Sequence, residues 1–243
     1  MFSGLRSRAL LESLGGLLYP RHCAVCRASI SAGRYLCGDC RRSRPKLDGP
    51  RCSVCSQPFG GALETGFRCM NCGDLELGFD FATSAYRSRG TVRELIHQFK
   101  YNKHLHLRHL LGRMLREGFG DARVRALGVD AIVPVPLHPA REREREFNQS
   151  AVLAAVAAKR LQLPVHDCLK RVRYTSTQTH FHRDERFENL AGAFALRRGF
   201  DPCGRNLALV DDVLTTGSTA DACARTLKGA GAAAVVVITV ARG

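Results

Sequence analysis

The chain has 243 residues, of which 45% are apolar and 24% charged, and it carries a formal net charge of +15. This is a globular rather than a disordered composition, and the length allows one large domain or a small module beside a core of about 150 residues. No apolar run approaches the roughly 18–20 residues of a membrane helix, and Glu12 and Ser13 interrupt the stretch from Ala9 to Leu18, which no small-residue cleavage site follows; neither membrane insertion nor secretion is expected.

Eight of the eleven cysteines fall in the first 72 residues. In a reducing cytoplasm they read as metal ligands before disulfides. The pairs are Cys23-x-x-Cys26, Cys37-x-x-Cys40, Cys52-x-x-Cys55 and Cys69-x-x-Cys72. Each tight turn aims two thiolates at one point, so four turns make two tetrahedral zinc sites. The gaps of 10, 11 and 13 residues favour sequential pairing for simplicity without excluding an interleaved one. Closed four-thiolate sites leave no position for substrate, so the zinc is structural. Gly38 and Gly73 are expected where the backbone turns around the metal. These features divide the chain into a helical lead-in (1–22), a double zinc ribbon (23–78) and a larger domain (79–243).

Beyond Gly78 the pattern alternates between strand and helix. Phe81 to Arg87 reads as a strand, and Val92, Leu95, Ile96 and Phe99 recur on one helical face. Leu107, Leu110, Leu111, Met114 and Leu115 continue the apolar pattern. Ala131 to Val135 reads as a buried strand ending in prolines. Glu144 to Leu161 reads as an alanine-rich helix stopping before Pro164. The stretch from Tyr174 to Glu188 is polar and aperiodic, as a mobile lid would be. Asn206 to Asp212 is a strand, Ser218 to Lys228 a helix and Ala233 to Val240 a strand. Strands separated by helix-length segments predict an α/β fold with a parallel sheet and crossover helices.

The segment from Leu207 to Thr219 carries the most chemistry. An apolar strand ends in Asp211 and Asp212, and Thr215, Thr216, Gly217, Ser218 and Thr219 then open a helix. Ligands sit at the carboxyl edge of such strands. Consecutive backbone N–H groups at a helix N-terminus make an anion nest, and Gly217 lets the backbone come close to it. Two carboxylates would repel a phosphate. They make sense if they hold sugar hydroxyls or magnesium on the same ligand.

This segment resembles the signature of type I phosphoribosyltransferases. That resemblance implies that Asp211 and Asp212 hold the ribose hydroxyls of phosphoribosyl pyrophosphate (PRPP), and that Thr215 to Thr219 cradle its 5-phosphate. With the four cysteine pairs before it, the whole chain resembles the ComF/GntX group of competence-associated phosphoribosyltransferase-like proteins. The supporting segments are Phe99-Lys100-Tyr101, Val133 to His138, Arg145 to Gln149, and Gln178, Arg186, Asn189 with Gly192 to Phe194. The resemblance implies a type I phosphoribosyltransferase-like sheet with helices on both faces, behind the double zinc ribbon. It also implies pyrophosphate binding by Lys100, Arg141, Arg145, Arg183 and Arg186, with Mg²⁺ on PRPP. Glu146 stands where the group has glycine. If that glycine needs a positive φ, the loop must differ here, and a carboxylate would oppose pyrophosphate.

The expected function is a cytoplasmic, Mg²⁺-dependent phosphoribosyltransferase linked to DNA uptake, with competence-machinery proteins as partners. The alternatives are a single-stranded DNA-binding protein and a PRPP-regulated factor without turnover. Thirty-one of the 37 basic residues are arginine, which fits codon usage as well as bidentate phosphate contacts. Residues 87–125 hold ten basic residues against three acids, with His97, Tyr101, His104 and Arg108 at the spacing of a helical stripe suited to stacking bases.

Overall fold

The computed structural model describes residues 22–31, 33–61, 66–73, 75–102, 104–173 and 183–243, with the backbone alone at 183–186. The lead-in helix expected before residue 22 lies outside the described residues, as do 174–182 of the lid segment.

Strands β1 (Phe81–Arg87), β2 (Ala131–Pro134), β5 (Asn206–Leu214) and β6 (Ala234–Arg242) form one parallel sheet in the order β1-β6-β5-β2. Side chains alternate across a strand, and the two central strands use both faces. Ala208, Val210, Val236, Ile238 and Val240 pack into one core. Leu207, Leu209, Val235 and Val237 pack into the other. Helices α3 (Gly90–Tyr101), α4 (Arg108–Gly118) and α7 (Gln149–Leu161) cover the first face through Leu95, Phe99, Leu111, Leu115 and Leu153. Helix α9 (Ser218–Gly229) covers the second through Ala220, Cys223 and Leu227. A small antiparallel pair, β3 (Leu169–Arg171) with β4 (Phe194–Leu196), extends that layer. These three-residue strands are too short to show a period in sequence.

The two cysteine clusters pack against opposite faces of the sheet. Cys23, Ala24, Leu36 and Cys40 belong to the first core. Cys52, Val54, Cys55, Cys69 and Cys72 belong to the second. The segment joining them runs along the outer edge of β1: Leu47 N–H donates to Ala85 O (2.9 Å) and Arg87 N–H to Pro45 O (2.8 Å), so this edge is not bare. Short helices α1 (Gly38–Arg42) and α2 (Met70–Gly73) carry Cys40 and Cys72.

Four sequence expectations change. The helix predicted from Glu144 divides: α6 (Pro139–Arg145) ends at Glu146, and α7 begins at Gln149 with the Asn148 side chain as its cap. Glu146 itself adopts φ +70°, so the loop keeps the glycine-like conformation despite having a side chain. The left-handed region costs an L residue about 1–2 kcal/mol. The aromatic stripe is broken, because α3 ends where Asn102 N–H closes on Gln98 O (3.1 Å) and α4 starts only at Arg108. His104 and Arg108 therefore do not share a helix with His97 and Tyr101. Finally, the aperiodic stretch is partly ordered as α8 (Arg183–Leu190).

Gly112 sets the approach of α4 to α7. A Cβ there would lie 2.4 Å from Val156 Cγ1 and 2.7 Å from its Cβ. Gly112→Ala is expected to lower stability by about 1–3 kcal/mol in urea unfolding. Adding Val156→Ala should restore part of it; a purely additive double variant would show that the contact is not the cause.

Candidate functional site

Each cysteine cluster begins with a knuckle. Arg27 N–H donates to Cys23 O and Ser56 N–H to Cys52 O, both at 3.0 Å. Arg27 (φ +64°) and Ser56 (φ +57°) make the left-handed turns. The expected glycines, Gly38 and Gly73, instead lie in α1 and α2. Pairing is sequential: Cys23, Cys26, Cys37 and Cys40 converge, as do Cys52, Cys55, Cys69 and Cys72, with all ligand atoms of each set within 4.8 Å. Sulfur–sulfur distances of 3.6 Å for Cys26–Cys37 and Cys55–Cys69 approach the edge of a tetrahedron, about 3.8 Å for Zn–S bonds near 2.3 Å. Both clusters fit zinc. The first leaves Cys26 exposed, whereas the second is buried throughout.

The other constellation sits at the carboxyl ends of β5 and β2. Asp211 Oδ1 accepts from Ser150 Oγ (2.7 Å) and from the backbone N–H of Asp212 (2.8 Å), and among the described residues no donor meets Oδ2. Asp212 turns inward. It is 2% exposed, accepts from Gln149 Nε2 (3.4 Å) and forms an ion pair with the Lys100 ammonium. Lys100, expected at pyrophosphate, here is the counter-ion of Asp212. Arg145 Nη1 donates to Gln149 Oε1 (2.6 Å), and its guanidinium lies 5.4 Å from the Tyr101 ring, so this candidate does border the acidic pair. Arg141 lies one turn earlier on α6 and is partly exposed. The side chains of Arg183 and Arg186 lie outside the described residues, although both positions are in α8.

Asn148, Gln149 and Ser150 form the scaffold that sequence reasoning missed. Asn148 caps α7 by accepting from Ser150 N–H (2.9 Å), and it donates to Val135 O (3.1 Å), fixing the helix start to the end of β2. Gln149 and Ser150 then reach Asp212 and Asp211. The signal was a polar triplet opening an apolar helix, which looks like ordinary capping until the helix is placed beside β5.

After β5 the chain enters the Thr-Gly-Ser loop. Gly217 (φ +86°) caps α9, and Thr216 Oγ1 contacts Ser218 Oγ at 3.0 Å. Among the described residues, no protein acceptor takes the backbone N–H of Thr215, Thr216 or Gly217. Free donors in succession at a helix N-terminus suit an anion.

Residues 148–243 match the phosphoribosyl transferase domain model, and residues 14–76 match the double zinc ribbon domain. Competence protein F of Haemophilus influenzae is 30% identical over 225 residues, covering 90% of this chain and 96% of that protein. The chain belongs to the ComF/GntX family. Two further relatives span the same architecture. DNA utilization protein YhgH of Escherichia coli is 32% identical, over 91% of this chain and 96% of its own length. Competence protein ComFC of Bacillus subtilis is 27% identical, over 91% and 95%. No helix among the described residues is long and apolar enough to cross a membrane.

In this family member Asp211 titrates unusually. Burial, then the neighbouring Asp212 charge, pushes the Asp211 carboxyl up to about 7, against the pull of Lys100. Lys100 is held above its ordinary range: burial opposes its charge, but Asp212 and then Asp211 outweigh that. Because the folded state holds the Asp211 proton more tightly than the unfolded chain, this contribution to stability is present below the ordinary carboxylate range. It is lost as pH rises towards 7, at no more than about 1.4 kcal/mol per pH unit for one proton. Urea unfolding of Asp211→Asn should lack this slope; an unchanged slope would assign it to other groups.

Proposed function

We propose that this chain binds PRPP with Mg²⁺ at the carboxyl edge of β5 and transfers its phosphoribosyl group. The carrying observation is one continuous segment that offers Asp211 Oδ2 and, a few residues later, three free N–H donors. Thr215 to Thr219 would hold the 5-phosphate, and Asp211 the ribose hydroxyls. Magnesium needs no all-protein cage. It prefers one or two carboxylates with substrate phosphates and water, and the single open oxygen of Asp211 fits that role. Arg145 and Arg141, with Arg183 and Arg186 from α8, would meet pyrophosphate. In the reaction, a nucleophile bonds to ribose C1 as the C1–O bond breaks with its electron pair leaving on pyrophosphate. The cations and Mg²⁺ would stabilise that departing charge. The relatives named for competence and DNA utilization support placing this chemistry in the handling of incoming DNA.

Calorimetric titration of Mg²⁺ and PRPP into the zinc-loaded chain tests the reading. Saturable binding that Asp211→Ala/Asp212→Ala abolishes supports it, and a wild-type chain that takes up no PRPP overturns it.

A second reading, single-stranded DNA binding, is favoured by a cavity of about 470 Å³ between the first cysteine cluster and α4. Arg34, Arg41, Arg42, Arg44, Arg113 and Arg116 line it, with Glu117 as the one acid among its lining residues. Tyr35 sits at its wall, stacked on His106 and 6.0 Å from the Arg113 guanidinium. Cations beside an aromatic face suit a single strand. This reading expects oligonucleotide binding that weakens with salt and with Arg113→Glu/Arg116→Glu. Binding unaffected by both would remove it.

A further inference from the structure

Arg242, near the end of β6, lies between the second cysteine cluster and the Thr-Gly-Ser loop. It is 6% exposed. On one side its Nε donates to Cys55 O (2.9 Å), and Nη2 lies 3.6 Å from Cys55 Sγ. On the other side Nη1 donates to Leu214 O (2.9 Å) and Thr215 O (2.7 Å), and also contacts Gly243 O. A small cavity lined by Cys55, Cys72, Thr215, Thr216 and Arg242 joins the two regions. The first cysteine cluster packs against the opposite face of the sheet.

Two physical consequences follow. A trans peptide points its C=O and the next N–H in opposite directions. Drawing the carbonyls of Leu214 and Thr215 onto Arg242 therefore turns the N–H groups of Thr215 and Thr216 away from it, leaving them free for an anion. The second consequence is electrostatic. Apart from its contact with Gly243 O, Arg242 meets no Asp or Glu side chain among the described residues, and a buried guanidinium short of countercharge is strongly unfavourable. Four thiolates around one zinc ion carry a net charge of about −2. The loaded second cluster places that charge beside Arg242, against Cys55 Sγ.

We propose that Arg242 is a positioning residue that couples the second zinc site to the phosphate loop, so that phosphoribosyl-ligand binding and zinc retention at that site strengthen each other. The ligand half rests on the PRPP reading of the loop. Coupling between two sites is reciprocal. Arg242, seated on the zinc-loaded cluster, aims the loop, and an occupied loop keeps Arg242 seated against Cys55.

The test follows zinc release from the full zinc-loaded chain into a chromophoric chelator, with and without saturating PRPP and Mg²⁺. The Cys26→Ser chain, whose first site opens to the chelator, assigns the phases. PRPP is expected to slow release from the second site at least fivefold and to leave the first unchanged. Arg242→Met should release zinc from the second site faster, lose the ligand effect and bind PRPP at least tenfold more weakly. Arg242→Lys, which keeps the charge with fewer donors, should recover part of each. A chain that binds PRPP but releases both zincs at ligand-independent rates overturns the coupling, and this wild-type result decides even if Arg242→Met does not fold. So does an Arg242→Met chain with wild-type affinity and release. A wild-type chain that takes up no PRPP overturns the phosphoribosyl reading first and the coupling with it, a result distinct from both of these.

Discussion

Cys72→Ser will prevent the chain from reaching its native state, whereas Cys26→Ser will fold with a weakened first site. The difference comes from where the two sulfurs sit. Cys72 is 1% exposed and packs with Cys52, Val54, Cys55, Phe79 and Leu214 against one face of the sheet. A serine hydroxyl there is a poor zinc ligand and a buried polar group in place of a packed thiolate. Cys26 is exposed, so water or the serine hydroxyl can complete the coordination. A structural zinc in a small ribbon contributes about 10–16 kcal/mol of apparent binding free energy, comparable with the 5–15 kcal/mol net stability of a whole domain. Because the second cluster shares its core with β5, β6 and α9, its loss should remove the cooperative thermal transition of the entire chain rather than of a local module. Metal analysis and circular dichroism melts of the purified variants measure this. Equal melting curves for the two variants would show that the clusters are independent attachments.

The same packing explains what the sequence could and could not disclose. The zinc clusters, the four sheet strands and the acidic pair with its loop were legible because each is a contiguous pattern: paired thiols, short continuous apolar runs, and a strand ending in Asp211-Asp212. Sequence order made the ribbons look like a prefix to the domain. Only the fold places Cys23 and Cys52 on opposite faces of one sheet. The family resemblance implies pyrophosphate binding by Lys100, and in the structure its ammonium pairs with Asp212. Its partner, Asp212, is far along the chain, and no local signal separates a ligand-binding lysine from a counter-ion. Glu146 also misled, since a glutamate with positive φ is uncommon enough that a different loop was the natural expectation. Asn148 and Gln149 stand in the quoted segment Arg145 to Gln149 and Ser150 follows it, but the work of all three at the acidic pair depends on α7 starting beside β5. Arg242 had no sequence signal at all, because its partners are backbone carbonyls and a thiolate from distant segments.

Asp212→Asn is expected to lower stability by about 3–5 kcal/mol, the range for breaking a buried ion pair from one side. The side chains of Lys100 and Asp212 are 21% and 3% exposed, so water can compensate neither well. Removing the Asp212 charge leaves the ammonium inside the protein with Asp211 as the nearest remaining carboxylate, whose ionisation burial opposes. Lys100→Met alone should destabilise for the converse reason, leaving Asp212 without its counter-ion. Combining the two substitutions removes both charges and keeps similar volumes, so most of the loss should be recovered. Urea unfolding of the zinc-loaded single and double variants gives the coupling directly. A double variant as unstable as the sum of the singles would mean that Lys100 is not the counter-ion and is held in place by other contacts. Recovery would explain why two adjacent acids can occupy the end of a buried strand before any ligand arrives: one is neutralised from within by α3, and the other is left with an open oxygen.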